Sequence, residues 1–328
     1  MNWSTLAKDV MNGYELTEEE ALSILNCPDL EILQLLEGAR LIRHHYYGNK
    51  VKLNMIINTK TGFCPENCGY CAQSIESTAP IQKYRMLDKE TIVKGAEKAV
   101  ELNSGTYCIV ASGRGPTNRE LDTVTSAVKE IKEKHNIKVC ACLGILRPGQ
   151  AEKLKSSGVD RYNHNINTSK KHHPNITTSH TYDDRVSTVE KAKDAGISPC
   201  SGVIVGMKEE KIDVVHMGQA LKKLDADSIP VNFLHAIDGT KLEGTHELTP
   251  IYCLKVLSMF RFMNPTKEIR ISGGREVNLR SLQPLGLFAA NSIFIGDYLT
   301  TAGQKGTEDM RMLKDMGFEI DVVEKITN

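Results

Sequence analysis

An α/β fold built on eight parallel strands is what this sequence predicts, and three observations carry that expectation. Short runs rich in β-branched and aromatic residues alternate with longer amphipathic segments, eight such runs can be placed, and each repeat is long enough for a right-handed crossover. Eight is the number that closes a TIM-type (β/α)8 barrel. Strand counting leaves an open doubly wound sheet as the alternative.

Taken in order, residues 1–50 come before the first strand. The stretches ELTEEEALSILN and DLEILQLLEGARLIRHHYYG have helical spacing and predict an N-terminal helical extension covering one end of the barrel. Residues 51–328 are then the barrel domain with a C-terminal tail. Its strands are expected at Leu53–Asn58, Thr106–Ala111, Lys138–Leu143, Arg161–Ile166, Ser198–Val205, Ile229–Leu234, Glu268–Ile271 and Ser292–Ile295. Between them the helices carry start and stop signals. Asp88 precedes Glu90, Asn118 precedes Glu120, Pro148 sits at a first turn, and Gly158 and Gly196 follow last turns.

Charge narrows the function classes. The 41 Lys and Arg balance the 41 Asp and Glu, so nothing draws the chain as a whole to nucleic acid or to an anionic membrane. The first twenty residues lack a basic segment followed by an apolar run, and the longest uncharged stretch, Ser281 to Gly296, is broken by Pro284, Gly286 and Asn291. A cytoplasmic location is expected. Thiols stay reduced there, so the nine cysteines read as metal ligands or reactive groups rather than a disulfide framework.

Three of them, Cys64, Cys68 and Cys71, lie in TKTGFCPENCGYCAQS directly after the first strand. This C-x3-C-x2-C run puts three thiolates in one loop that can wrap a metal centre, with Gly62, Pro65 and Gly69 supplying turns. Zinc would need a paired half at finger-like distance, and none follows. Iron–sulfur clusters normally take four cysteines, so three suggest a cluster with one iron left open.

Cys108, Cys140 and Cys200 are scattered, yet each sits inside an expected strand, as does Arg270. Alternation lets an interior position of each strand face the barrel lumen, so three thiolates and a guanidinium can converge on a second metal site. Buried structural cysteine, and an ion pair of Arg270 with Glu268 or Glu276, are the plainer readings. Parity places Cys140 and Cys142 on the same face and does not choose between them. In RYNHNINTS, Asn163, Asn165 and Asn167 fall at alternate positions, one amide face that should look into the lumen, with Asn232 as a fourth amide.

The cysteine loop resembles that of the radical S-adenosylmethionine (SAM) superfamily. The segments YNHNINTS, CSGVIVG, SGGRE, NSIFIG and LTT are similar to those of the biotin synthase family within it, from about Leu53 to Gly303. The resemblance implies a sulfurtransferase that converts dethiobiotin to biotin by radical SAM-dependent sulfur insertion. It implies that Cys64, Cys68 and Cys71 ligate a 4Fe-4S cluster that binds SAM, with Tyr70 in the aromatic place beside them. It further implies a 2Fe-2S cluster on Cys108, Cys140, Cys200 and Arg270, choosing Cys140 over Cys142. Asn163, Asn165 and Asn232 would bind substrate and SAM, and no side chain would act as an acid–base catalyst. A flavodoxin- or ferredoxin-type electron donor and a homodimer are implied as partners. The sequence departs from the family pattern at Thr106, where many members have Arg, and at Asn167, where Asp is common. A radical SAM mutase or metallocluster-maturation enzyme of the same fold would need only the first three cysteines, and a zinc-binding interaction module would complete them with a histidine. Cys27, Cys142 and Cys253 are expected to be structural, and the histidines of KKHHPN a solvated loop.

Overall fold

A closed barrel of parallel strands forms the centre of the computed structural model, which describes residues 1–322. The strands are β1 (Lys50–Lys60), β2 (Thr106–Ala111), β3 (Lys138–Cys142), β4 (Arg161–Asn163), β5 (Ser198–Cys200), β6 (Val203–Val205), β7 (Ser228–Phe233), β8 (Glu268–Ile271), β9 (Ser292–Phe294) and β10 (Glu319–Ile320). Neighbours follow chain order from β1 to β9, and β9 returns to β1 through Lys52↔Ser292, Leu53↔Ile293 and Asn54↔Phe294. That closing pair decides for the barrel over the open sheet.

Two expected strands differ in detail. The single run Ser198–Val205 is two short strands, both paired with β7, that together form one stave. Between them a Cβ on Gly202 would stand 2.0 Å from the carbonyl oxygen of Pro230, so only glycine permits this close approach. The run Arg161–Ile166 ends as a strand at Asn163. Beyond it the Asn165 side chain accepts from the Gly202 amide at 3.0 Å, and Asn167 takes a left-handed conformation at φ 66°. The alternation assumed for the three asparagines therefore holds only as far as β4 does. The short β10 pairs with β1 at Lys50 and Val51, outside the barrel. It was not expected from the sequence.

Helices between strands begin where capping chemistry allows. The Asp88 side chain accepts from the Thr91 amide, and Thr117, one residue before the expected start, forms a capping box with Glu120. The helix after Pro148 begins at Gln150, with Gly149 as its cap.

The N-terminal helices Trp3–Met11, Glu18–Leu25 and Ile32–Tyr47 lie along the side of the barrel rather than across an end. They pack on the helices Lys211–Lys223 and Pro250–Met263. The reason is the helix Pro250–Met263, whose residues from Cys253 to Met263 are all buried and which needs an apolar partner on its outer face. Tyr47 and Arg43 tie this layer to the N-terminal rim, Tyr47 donating to the Thr266 carbonyl at 2.7 Å and Arg43 Nη2 to the Lys50 carbonyl at 2.7 Å.

Candidate active site

The chain leaves β1 through two consecutive left-handed residues, Gly62 at φ 75° and Phe63 at φ 55°, and enters the cysteine loop. Cys64, Cys68 and Cys71 all line a cavity of about 390 Å³ at the C-terminal ends of the strands, where barrel enzymes carry their chemistry. The loop is docked on residues 176–180. Asn67 Oδ1 accepts from Thr177 Oγ1 at 2.8 Å and from the amides of Thr178 and Ser179 at 3.0 and 3.1 Å. The Gly69 amide donates to the Ile176 carbonyl at 2.9 Å.

Glu66, buried between the first two cysteines, accepts from Ser179 Oγ at 2.5 Å, from Arg114 Nη1 at 3.2 Å and from His180 Nδ1. Burial, with Arg185 nearby, lowers the pKa of His180. Its tautomer follows from its partners, since Nδ1–H donates to Glu66 and Nε2 accepts from Arg185 Nε at 2.9 Å. Burial raises the Cys64 thiol and pushes Cys71 up to about 12, so a cation that binds here must displace protons.

The amides converge on the same cavity. Asn163 Nδ2 donates to Asn165 Oδ1 at 3.0 Å and to Cys200 Sγ at 3.3 Å. The Asn167 amide lies 2.6 Å from the Tyr70 hydroxyl, and with its oxygen on that side it also accepts from both Arg185 Nη atoms at 3.2 Å. Asn232 Nδ2 donates to the Val203 carbonyl at 2.9 Å, and its Oδ1 accepts from the Gly273 amide at 3.0 Å. All four line the cavity, joined by Arg185, which also donates to the Asn165 carbonyl at 2.9 Å.

Deeper in the lumen, Cys108, Cys140 and Cys200 form one buried cluster with Phe294. Register puts Cys108 beside Cys140 and Asn163 beside Cys200. A hydrogen bond with Cys140 pulls the Cys200 thiol down, helped by Arg270 and Arg161, while bonds to Cys108 and Cys200 push Cys140 up. Arg270 lines the cavity too, its guanidinium 4.9 Å from the centre of the Phe294 ring. Its ion pair with Glu268, 2.6 Å from Nη2 to Oε1, is the plainer reading of Arg270 and is present alongside the thiols.

Every residue singled out in the sequence for the two metal sites lines one cavity except Cys200, which is fully buried in the cluster with Cys108 and Cys140, and all four amides line it too. Cys27 and Cys253 are buried away from it, whereas Cys142, expected to be structural, lines it. His173 is buried rather than solvated, because the short helix His173–Ile176 packs it against His180 and Tyr182. Sequence reasoning missed Arg185, Glu66, His180, Arg161 and the role of Glu268. A charged residue between the cysteines and an arginine inside a barrel strand were the available signals.

The donor set fits iron–sulfur chemistry, because the cysteines of the loop and of the strands are all free thiols and the thiolates of such a cluster bind separate irons.

Residues 58–220 match the family model of the radical SAM superfamily, and residues 230–319 match the Biotin and Thiamin Synthesis associated domain. Biotin synthase of Geobacillus kaustophilus (strain HTA426) is 73% identical over 320 residues, covering 98% of this chain and 96% of the relative. Biotin synthase of Bacillus subtilis (strain 168) is 68% identical, covering 99% and 97%. Among solved structures, methylornithine synthase superposes with a TM-score of 0.85 at 21% identity, covering 96% of this chain and 97% of that one. A maturase of the [FeFe]-hydrogenase superposes at 0.82 and 20%, covering 98% and 76%. These two likenesses carry the fold alone. No helix among the described residues is long and apolar enough to cross a membrane. With both family models matched and curated relatives near 70% identity over almost its whole length, the chain belongs to the biotin synthase family, radical SAM enzymes that work with S-adenosylmethionine and iron–sulfur clusters.

Proposed function

We propose that the single cavity converts dethiobiotin to biotin, with a 4Fe-4S cluster on Cys64, Cys68 and Cys71 and a 2Fe-2S cluster on Cys108, Cys140, Cys200 and Arg270. The observation that carries this reading is that the three loop cysteines and, from the strands, Cys108, Cys140 and Arg270 line one space shared with the amides. When bound, the first cluster and SAM supply a 5′-deoxyadenosyl radical, and the second cluster supplies the sulfur.

The chain's own residues do the holding. Three thiolates in the loop leave one iron position free for the amine and carboxylate of SAM, and the Glu66 and Asn67 anchors fix that loop. Asn163, Asn165 and Asn232 offer amide donors and acceptors that match a ureido group and the polar groups of SAM. Tyr70 and Arg185 complete the wall beside Asn167. The apolar side chains Ile56, Val110, Ile204 and Phe294 keep water from the reacting carbon. A flavodoxin- or ferredoxin-type donor would deliver the electron, and the chain would work as a homodimer.

The three buried thiols on β2, β3 and β5 favour sulfur insertion over a mutase or maturation activity, which needs only the loop cysteines. Iron and acid-labile sulfide analysis of anaerobically reconstituted protein, followed by an assay for biotin from dethiobiotin and SAM, tests this. One 4Fe-4S and one 2Fe-2S cluster per chain with biotin formed is the expected result. A single 4Fe-4S cluster and no biotin would favour the alternative, and zinc without sulfide would overturn both.

A further inference from the structure

Beneath the three strand cysteines, toward the N-terminal ends of the strands, one carboxylate gathers three cations. Glu268 Oε1 accepts from Arg270 Nη2 at 2.6 Å, from Ser292 Oγ at 3.0 Å and from Ser228 Oγ at 3.1 Å. Its Oε2 accepts from Arg161 Nη1 at 2.7 Å and from Lys52 Nζ at 3.0 Å. Five donors saturate the two oxygens, so Glu268 is fixed in place and in turn fixes whatever binds it. Arg270 is held a second time, by Ser228 Oγ at 2.9 Å and Ser292 Oγ at 3.3 Å.

The charge does not balance. Three cations face one carboxylate, and Glu268, Arg270 and Arg161 are 3%, 1% and 8% exposed. A further cation, Lys138, stands beside Arg161 but is exposed. Buried positive charge in excess is costly unless an anion lies close by. The strand register supplies one. Arg161 pairs with Cys140, and Ser228, which donates to Glu268, pairs with Cys200. The excess therefore sits directly under the three thiols and is matched when they are thiolates around a cluster.

We propose that Arg161 and Glu268 are positioning residues for the second cluster, Glu268 orienting Arg270 and Arg161 adding an uncoordinated positive charge that raises the cluster's reduction potential. This rests on the assignment of that cluster to Cys108, Cys140, Cys200 and Arg270. Adding an electron makes the cluster more negative, so a nearby cation stabilises the reduced form and a nearby carboxylate opposes it.

The test is a potentiometric titration of the reconstituted full-length protein, following the visible absorbance and paramagnetic signal of the 2Fe-2S cluster. Arg161→Gln should shift the midpoint to more negative potential, Glu268→Gln should shift it to more positive potential, and Arg161→Lys should stay near the wild-type value. A residue that merely held the barrel together would lower thermal stability in Arg161→Gln without moving the potential. Midpoints that move in the same direction for both charge-removing variants, or that do not move, overturn the proposal even if biotin yield falls. Should Glu268→Gln fail to fold, the contrast between Arg161→Gln and Arg161→Lys still decides it. Wild-type protein that takes up no 2Fe-2S cluster would instead sink the ligand assignment, and this proposal with it.

Discussion

Asn163 donates its side-chain amide to the thiol of Cys200 at 3.3 Å, across the pairing of β4 with β5. An amide expected to meet substrate is thus also tied to a proposed cluster ligand. A hydrogen bond to a charged acceptor contributes about 1.5–3 kcal/mol. Asn163→Ala should therefore weaken retention of the second cluster roughly ten- to a hundred-fold under chelator challenge, while the loop cluster stays. Loss of sulfide from both clusters in parallel would contradict this division.

Cys140 and Cys142 stand two residues apart on one strand and both line the cavity, but it is Cys140 that the register sets beside Cys108 and that packs in the buried cluster with Cys108 and Cys200. Cys140→Ala should abolish the 2Fe-2S absorbance and biotin formation. Cys142→Ala should keep both clusters. Sulfide and iron counts on the two variants check the contrast, and a Cys142→Ala protein lacking the second cluster would reverse it.

Gly202 lets the stave of β5 and β6 bend against β7. Its substitution by alanine would drive a methyl group into the Pro230 carbonyl. Gly202→Ala should cost about 1–3 kcal/mol of stability, the usual range for overpacking. Urea unfolding of the apoprotein reads this directly. An unchanged midpoint would mean that the strands part without strain.

His173 gives a pH dependence. Burial, with Arg185 and His180 nearby, lowers it to about 4 from 6.5. A histidine with a depressed folded value contributes stability that is whole above pH 6.5 and is lost as pH falls toward 4. The loss is on the order of 3 kcal/mol for a shift of this size. Urea midpoints of the apoprotein should fall across that window, and His173→Gln should flatten the fall. An identical decline in the variant would assign the effect elsewhere.

The sequence by itself determined the parts that are local. The spacing of Cys64, Cys68 and Cys71 in a Gly- and Pro-bearing loop, the alternation of eight β-rich runs with helices, and the excess of cysteine in a charge-balanced chain are all properties of neighbouring residues. They sufficed for an eight-strand parallel α/β fold and for the radical SAM resemblance, and the pairing of β9 with β1 closed it into a barrel. Tertiary structure alone decided the rest, because it depends on which strands lie side by side. Parity treats Cys140 and Cys142 alike, and only the register of β2, β3, β4 and β5 across the barrel brings Cys140 to the other thiols. Asn167 leaves the expected alternation where the Gly202 carbonyl, on another stave, accepts from its backbone amide and the Gly202 amide donates to the Asn165 side-chain oxygen. Glu268 looked like one possible partner for Arg270. Closure of β9 onto β1 brings Lys52 and Ser292 to it, and β4 brings Arg161, so the charge under the thiols exists only once the barrel is shut.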